Sequence, residues 1–224
     1  METIPNWGAA LPKAYQSDNS GFNKQTNLPK LFRGIVLGAS GSGKSNLIFD
    51  FVKKSPNVYS HLHLIARQPD QPLYRYLKDK LDTFCTIYDE ETVPSVDDIQ
   101  KDGLQLVIFD DWSNDQKWCE KHVVPFFIRG RHKGLTTLFL AHAFFKGCPK
   151  MVRLNSEILF LLRTPSKTDL RMILKDMPIA GVSVDDLWGY YQMILKQKGQ
   201  IILLNTIDQT VRYNWKKILH NGME

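Results

Sequence analysis

The sequence predicts an α/β fold in which helices flank a mostly parallel sheet and an antiparallel hairpin closes the C-terminal end. The apolar run from Leu104 to Phe109 is continuous enough for a strand buried on both faces, as in parallel sheets. Short apolar strands alternate along the chain with segments of helical periodicity. The run 200–204, followed by the alternation of Val211, Tyr213 and Trp215, predicts the closing hairpin.

The individual elements follow from apolar runs, from periodicity and from the residues at their boundaries. The predicted strands before the hairpin cover residues 31–37, 58–65, 84–88, 104–111, 135–142 and 157–162. The predicted helices cover residues 45–54, 72–80, a segment that begins at Ser113, and the segments 170–177 and 187–195. Ser113 and Gln116 have the spacing of a capping box, and we expect Pro125 to kink the helix that they begin.

The length and composition indicate a single folded domain. A chain of 224 residues with 43% hydrophobic residues fits one α/β domain, which we expect to cover residues 29–224. Residues 1–28 are polar and turn-rich with scattered aromatics (Trp7, Tyr15 and Phe22), and they predict an arm that either docks through these side chains or frays. No apolar stretch is long enough for a transmembrane helix, and the first residues do not resemble a secretory signal.

Charge and cysteine content narrow the function only a little. Three widely spaced cysteines, Cys85, Cys119 and Cys148, indicate a reducing compartment and not a disulfide framework. The net charge of +6 suits a polyanionic partner, but it suits an ordinary basic protein equally well. No helix-turn-helix, zinc-finger or aromatic–basic pattern is evident, so the function has to be inferred from motifs.

A glycine-rich stretch follows the first strand of the predicted sheet and leads directly into the first helix. Its residues are Gly38, Ala39, Ser40, Gly41, Ser42, Gly43, Lys44 and Ser45, which match G-x-x-x-x-G-K-S. The glycines allow backbone N–H groups to point at phosphates, and the helix directs its positive end at them. Lys44 would reach the β- and γ-phosphates, and Ser45 would place its hydroxyl on Mg²⁺. The flanking strand and helix favour this P-loop over a loop that binds nothing.

A pair of carboxylates, Asp110 and Asp111, ends the most continuous apolar strand. Ligands of open α/β sheets bind at the carboxyl ends of the strands, so these side chains are expected to face the nucleotide. Asp110 would then hold Mg²⁺ through water, and Asp111 would orient the attacking water. The alternative is that the pair only begins a loop and caps the next helix; the presence of the P-loop favours the functional interpretation.

The order of these motifs distinguishes between classes of P-loop NTPase. At least one predicted strand separates the P-loop strand from the strand that ends in Asp110. This order is typical of the RecA-like (ASCE) ATPases, which include helicases and motors. A small GTPase would need an Asn-Lys-x-Asp motif late in the chain, and none is present there. A nucleoside kinase would need an arginine-rich lid and an acceptor site, and the long gap between loop and acid fits a motor better.

A third segment carries a family resemblance. The run Arg131-x-x-Gly134-Leu135-x-x-Leu138-Phe139-Leu140-Ala141-His142 resembles the R-x-x-G-I-x-x-x-x-A-T/S-Q stretch of the FtsK–HerA DNA-pumping ATPases. Arg153-Leu154-Asn155, before an apolar strand, is similar to the segment that follows in that family. The resemblance covers roughly residues 31–165. The small size and the paired aspartates are most similar to the viral branch, which packages the genomes of poxviruses and of internal-membrane viruses, and to its tectivirus members above all.

The resemblance implies a mechanism and residue roles. These ATPases act as rings, commonly hexamers, so Arg131 would be an arginine finger in the neighbouring subunit's site, with Arg153 as the runner-up. His142 occupies the position of the family's usual glutamine sensor and would contact the γ-phosphate or the attacking water. Asp111 replaces the glutamate of many cellular members. A histidine sensor would make hydrolysis sensitive to pH near neutrality.

The implied function is an ATP- and Mg²⁺-dependent motor that moves double-stranded viral DNA into a preformed capsid. We expect partners at the capsid vertex, a homo-oligomeric ring, and a location in the virion and the host cytoplasm. DNA contacts would be to the phosphate backbone and would not depend on base sequence; the candidate side chains are Lys117, Lys121, Lys167 and Arg171. Two alternatives stay open, namely an ATP-binding anchoring protein at the vertex without motor activity and, less favoured, a nucleotide kinase.

Overall fold

A computed structural model describes residues 21–163 and 166–223 of the chain. Most of the predicted arm, including Trp7 and Tyr15, lies outside the described residues, so the domain boundary at residue 29 stays a prediction. The strands of the described part are β1 (Phe22–Asn23), β2 (Leu28–Pro29), β3 (Arg33–Leu37), β4 (His61–Ala66), β5 (Cys85–Tyr88), β6 (Gln105–Asp110), β7 (Leu135–Ala141), β8 (Ile158–Leu161), β9 (Ile202–Asn205), β10 (Thr210–Tyr213) and β11 (Lys217–Asn221).

The helices of the described part lie mostly between these strands. They are α1 (Lys44–Lys53), α2 (Pro72–Leu81), α3 (Gln116–His122), α4 (Val124–Arg129), α5 (Lys150–Asn155), α6 (Lys167–Asp176) and α7 (Val184–Ile194). Short 3₁₀ turns cover Asp82–Phe84 and Gly130–Lys133. Within residues 21–163 and 166–223, no helix combines the length and the apolar character that a membrane span requires.

Nine strands form one sheet, in the order β11-β10-β9-β8-β3-β7-β6-β4-β5. The strands from β8 to β5 in this order are parallel, and β9, β10 and β11 join antiparallel to one another and to β8. β1 and β2 pair separately as a short antiparallel ribbon. The strand β7 lies between the P-loop strand β3 and the acidic strand β6, so the loop and Asp110 reach the same edge of the sheet from strands that are not neighbours.

The sheet is buried on both faces because side chains alternate along each strand. One core contains Leu47, Ile48 and Phe51 of α1 and Tyr74 and Leu77 of α2, packed on one face of the sheet. The other core contains buried side chains of α3 to α7, among them Trp118, Phe127, Val152, Ile173 and Leu187. This two-sided burial explains the continuous apolar runs in the sequence.

The structure confirms the predicted mixed sheet and corrects some details. The C-terminal hairpin is present as β9 and β10, and a third strand, β11, extends it. Residues 150–155 form a helix, which no periodic pattern predicted because it spans fewer than two turns.

The predicted capping box at Ser113 is wrong. Asp115 caps α3 by accepting a hydrogen bond from the backbone N–H of Trp118, whereas the buried Ser113 Oγ finds no hydrogen-bond partner among the described residues. Pro125 falls in the first turn of a new helix, α4, so the chain breaks before the proline and does not kink at it.

Candidate nucleotide site

The glycine-rich loop occupies the carboxyl end of β3 and leads into α1. Gly41 and Gly43 have φ values of +70° and +101°, which favour glycine over residues with a Cβ atom. A Cβ on Gly38 would lie 2.5 Å from Ser42 Oγ, so the loop is also closely packed there. Gly43 is the N-cap residue of α1 and, as a glycine, has no side chain to accept a hydrogen bond. The first N–H groups of the helix are therefore available for a bound anion.

Lys44 lies across this loop with its side chain largely buried. Its Nζ donates to the carbonyl oxygens of Gly38 at 2.8 Å and Ala39 at 3.3 Å, and to His142 Nδ1 at 3.0 Å. Burial lowers the pKa of Lys44, and the nearby carboxylates of Asp110 and Asp111 act in the opposite direction. A phosphate chain would supply negative charge and replace these neutral acceptors.

Asp110 at the end of β6 is the most buried carboxylate of the site, with 6% of its surface exposed. Burial raises its pKa, while the hydrogen bond from Tyr74 and the charge of Lys44 oppose that rise. The Tyr74 hydroxyl donates to Asp110 Oδ2 from helix α2, where the tyrosine is fully buried. Tyr74 therefore holds one carboxylate oxygen and leaves the other for a ligand.

Asp111 and His142 form a second pair beside Lys44. Because Nδ1 of His142 accepts from Lys44, its Nε2 is the atom that can donate to Asp111 Oδ1, at 3.3 Å. Asp111 has a φ of +66°, in the left-handed region. The next residue, Trp112, is fully buried, and its ring is stacked on that of Trp118 with 3.6 Å between the ring centroids. The buried tryptophan anchors the turn that directs Asp111 towards the histidine.

These side chains line one cavity of about 540 Å³, which we call the phosphate cavity. Ser45, Asp110, Asp111 and His142 share it with the second half of the loop. The hydroxyl of Ser45 and the carboxylate of Asp110 are hard oxygen donors of the kind that Mg²⁺ prefers, and both face this space. The residues present therefore fit a magnesium–nucleotide complex.

Arg131 lies at the opposite edge of the sheet. It precedes β7, whereas His142 follows it, and the length of β7 separates the two by about 20 Å. Its guanidinium donates to Glu157 Oε1 at 3.1 Å, and 56% of its side chain is exposed. Glu157 also binds Arg33, which donates from Nη2 at 2.8 Å. Arg131 cannot reach the phosphate cavity of its own chain.

Arg153 has a different environment. Only 7% of its side chain is exposed. Its Nε donates to Asp176 at 2.7 Å, and its Nη1 donates to the carbonyl oxygen of Cys148 at 2.6 Å. The guanidinium also lies over the rings of Phe144 and Phe145. Arg153 holds α5 to the end of α6, and this burial disfavours the arginine-finger role that the sequence left open.

The sequence motifs thus converge only in part. The structure brings together the loop, Lys44, Asp110, Asp111 and His142, and it places Arg131 and Arg153 elsewhere. Sequence reasoning missed Tyr74, because a tyrosine on an amphipathic helix has no pattern that separates a partner of Asp110 from an ordinary core residue.

The fold and site together define a P-loop NTPase of the ATPase type. The family model described as the poxvirus A32 protein matches residues 19–217, and the chain belongs to that family. This confirms the resemblance to the viral packaging branch of the FtsK–HerA ATPases; the matching family is the poxvirus one, whereas the sequence pattern favoured the tectivirus members. A comparison with curated protein sequences finds no significant match.

Solved structures share the fold at low sequence identity. The DNA-packaging ATPase B204 of Sulfolobus turreted icosahedral virus is 13% identical, with a TM-score of 0.59 over 84% of this chain and 98% of that one. The B204 genome packaging NTPase of Sulfolobus turreted icosahedral virus 2, in complex with AMPPCP, is 14% identical, with a TM-score of 0.57 over 84% and 99%. The cytoplasmic domain of the Thermomonospora curvata type VII secretion ATPase EccC is 16% identical, with a TM-score of 0.58 over 87% and 26%.

Proposed function

We propose that this chain is an ATP-hydrolysing motor that moves double-stranded viral DNA into a preformed capsid. The observation that carries the proposal is the single cavity that the P-loop shares with Asp110, Asp111 and His142. Membership of the poxvirus A32 family supports a packaging ATPase, and the B204 proteins with the same fold are a DNA-packaging ATPase and a genome packaging NTPase.

Each residue of the cavity has a proposed role in hydrolysis. The backbone of Gly38–Ser45 binds the phosphates, and Lys44 leaves its carbonyl and histidine acceptors to bind the β- and γ-phosphates. Ser45 and Asp110 hold Mg²⁺, which when bound neutralises charge on the phosphate oxygens. Asp111 orients the attacking water and accepts its proton, and His142 holds Asp111 in position and contacts the γ-phosphate.

The ring is the second part of the proposal. An exposed arginine about 20 Å from its own site is suited to act on the site of another copy, and Arg131 meets that condition. To act, it exchanges Glu157 for the γ-phosphate of the neighbouring subunit. We propose a hexamer, in which hydrolysis depends on assembly.

DNA and capsid contacts complete the proposal. The exposed Lys117 and Lys121 are four residues apart and share a face of α3, and Arg171 is exposed on α6. These side chains suit salt-sensitive contacts to the DNA backbone. The motor would act at a capsid vertex, in the virion and in the host cytoplasm.

The test is ATP turnover with and without double-stranded DNA over a range of protein concentrations. A motor gives turnover that rises more steeply than the protein concentration and that DNA stimulates. Tight ATP binding with negligible turnover under all conditions would instead support a vertex-anchoring protein. Phosphoryl transfer to a nucleoside monophosphate would support a kinase.

A further inference from the structure

A shallow groove lies on the surface where three parts of the chain meet. It has a volume of about 500 Å³ and is lined by Gln25 of the β1–β2 turn, by Lys54 at the end of α1, and by residues 213–217, which join β10 to β11. We call it the basic groove, because Lys54, Lys216 and Lys217 line it and none of its described lining residues is acidic. Small-molecule sites enclose most of their ligand, whereas this groove is open to the surface and suits a larger partner.

Most of the positive charge at the basic groove is unpaired. Lys216 and Lys217 are exposed, and so is Lys24 in the β1–β2 turn. Within residues 21–163 and 166–223, the ammonium groups of these three lysines have no hydrogen-bond or ion-pair partner. Lys54 differs, because its ammonium is paired with the carboxylate of Asp50. Three cations are therefore free to bind an anionic partner.

Hydrogen bonds hold the three parts of the groove together. The Asn23 side chain donates from Nδ2 to the carbonyl oxygen of Lys54 at 2.9 Å, which ties the β1–β2 ribbon to α1. Arg212 donates from Nη1 to the carbonyl oxygen of Asn27 at 2.8 Å, which ties the same ribbon to β10. The indole of Trp215 donates at 2.7 Å to the carboxylate that pairs with Lys54. The lysines therefore project from a surface that is already fixed in the free chain.

The other basic residues that were candidates for DNA contacts have acidic neighbours. Glu120 is exposed on α3 between Lys117 and Lys121, and its charge offsets theirs. Lys167, at the start of α6, is paired with Asp185 at 2.6 Å. The basic groove therefore has a larger excess of unpaired positive charge than the surface of α3 or the start of α6.

We infer that the basic groove binds the phosphate backbone of double-stranded DNA. Duplex DNA is a linear array of negative charges, and lysines bind it by displacing its counterions without reading the base sequence. The inference rests on the proposed function, which supplies DNA as the polyanion. It assigns the contact to residues that no sequence motif indicated. The groove adjoins Lys54 at the end of α1, so bound DNA lies at the far end of this helix from the phosphates, about 15 Å away.

The first test removes the two lysines of the β10–β11 turn. In Lys216→Ala/Lys217→Ala, the affinity for a short labelled duplex should fall about tenfold or more at low salt, and the plot of log affinity against log salt should become shallower by about two. Fluorescence anisotropy over a salt series measures both. Lys216→Arg/Lys217→Arg keeps the charges and should retain the wild-type slope. Lys78→Ala/Lys80→Ala, which removes two exposed lysines from α2, is the matched control and should change neither quantity.

A second test uses the wild-type chain and so does not depend on the folding of a variant. Lysines are acetylated with and without bound duplex, and the extent of modification at each site is measured by mass spectrometry. Lys24, Lys216 and Lys217 should become less reactive when DNA is bound. Lys78 and Lys80 should react equally in both samples. Unchanged reactivity of all three groove lysines in the presence of saturating duplex would overturn the inference.

The remaining outcomes separate this inference from the proposed function. Loss of DNA affinity in Lys117→Ala/Lys121→Ala, with full affinity in the groove variant, would overturn the inference and leave the motor standing. Protection of the groove lysines by phosphatidylserine vesicles but not by duplex would assign the groove to a membrane surface and also overturn the inference. A wild-type chain that binds DNA through the groove but does not hydrolyse ATP would overturn the motor and leave the groove standing. A chain that binds no duplex at low salt would overturn both.

Discussion

The parallel strands of the sheet all end on one side, which we call the carboxyl edge, and all begin on the other, which we call the amino edge. The two edges carry charged residues in contrasting surroundings. At the carboxyl edge, Lys44 is largely buried and its ammonium contacts two carbonyls and a histidine, all acceptors that a phosphate can replace. At the amino edge, Arg131 is more than half exposed and is held by Glu157, together with Arg33. One edge is built to receive a ligand, and the other presents a cation outward.

The distance between the two edges is the reason why the proposed mechanism needs a second copy of the chain. The phosphate cavity and the proposed arginine finger lie at opposite ends of β7, about 20 Å apart, so no side-chain motion within one subunit can join them. Contact between two copies of the chain can bring Arg131 of one copy to the phosphate cavity of the other.

Lys44→Ala tests the carboxyl edge most severely. Loss of the cation that we propose binds the β- and γ-phosphates should lower kcat/KM for ATP by about 10³-fold or more. Phosphate release measured over a range of ATP concentrations checks this. Lys53→Ala, which removes an exposed lysine from the last turn of the same helix, is the matched control and should retain wild-type turnover. Equal losses in the two variants would show that general charge, and not the loop, carries the activity.

Asp111→Asn separates binding from chemistry at the same edge. The amide cannot accept the proton of the attacking water, so kcat should fall by about 10²-fold or more while ATP affinity stays within about threefold. Single-turnover hydrolysis and equilibrium binding measure the two quantities. Asp102 is exposed just before β6, at the opposite edge, and the control variant Asp102→Asn should change neither kcat nor the affinity for ATP. Unchanged turnover in Asp111→Asn would remove Asp111 from the reaction.

Tyr74→Phe tests the support of Asp110. The variant keeps the ring and removes the donor to a buried carboxylate, so the free energy of unfolding at neutral pH should fall by about 2 kcal/mol. Tyr59→Phe, which removes a neutral hydrogen bond to the Lys30 carbonyl, is the control and should cost about 1 kcal/mol without pH dependence. Chemical denaturation measures both.

The pH profile of Tyr74→Phe sharpens that comparison. The folded-state pKa of Asp110 lies above its unfolded value, so the native state binds more protons between the two, and stability falls as pH rises through this window. Tyr74 lowers that pKa. Its removal should therefore steepen the fall, and the deficit should shrink to the roughly 1 kcal/mol of a neutral hydrogen bond where Asp110 is protonated in both states. A deficit that is constant with pH would indicate lost packing alone.

Glu157→Gln gives the smallest expected effect and probes the amino edge. The carboxylate is 16% exposed and binds Arg33 and Arg131, so its neutralisation should cost about 1–2 kcal/mol of unfolding free energy. The pair Arg129–Asp97 is more than half exposed on both sides, and Arg129→Ala should cost less than about 0.5 kcal/mol. Similar costs for the two would mean that Glu157 does not organise this edge.

The loop and the carboxylates that the sequence singled out do lie together at the carboxyl edge, and there are physical reasons why they could be found from the sequence. A P-loop needs glycines, a lysine and a hydroxyl close together in the sequence, so the whole phosphate-binding loop is contained in one stretch, from Gly38 to Ser45. The end of a buried strand is similarly visible, because the apolar run stops at Asp110. Side chains that are brought together only by the tertiary fold were harder to predict from the sequence. Tyr74 reaches Asp110 from a helix packed on the sheet, and Lys198 reaches the loop from the segment before β9.

Local capping chemistry was the weakest part of the prediction. Ser113 and Asp115 are both good N-cap residues, and the spacing of Ser113 to Gln116 favoured the first. The buried turn of Trp112 takes Ser113 into the core and leaves Asp115 at the start of the helix. The sequence also could not show which of Arg131 and Arg153 is the better candidate for the arginine finger. Burial against Asp176 separates them, and only the folded chain shows it.

Whether Arg131 completes the site of a neighbouring copy can be measured by mixing two variants that are each expected to be inactive. Lys44→Ala loses its own site but keeps Arg131, and Arg131→Ala keeps its site but lacks the finger. If the arginine acts in the neighbouring subunit, the mixture should hydrolyse ATP faster than the sum of the separate variants, with a maximum near equal proportions. Turnover equal to that sum at every proportion, or wild-type turnover by dilute Arg131→Ala alone, would show that Arg131 does not act in a neighbouring subunit.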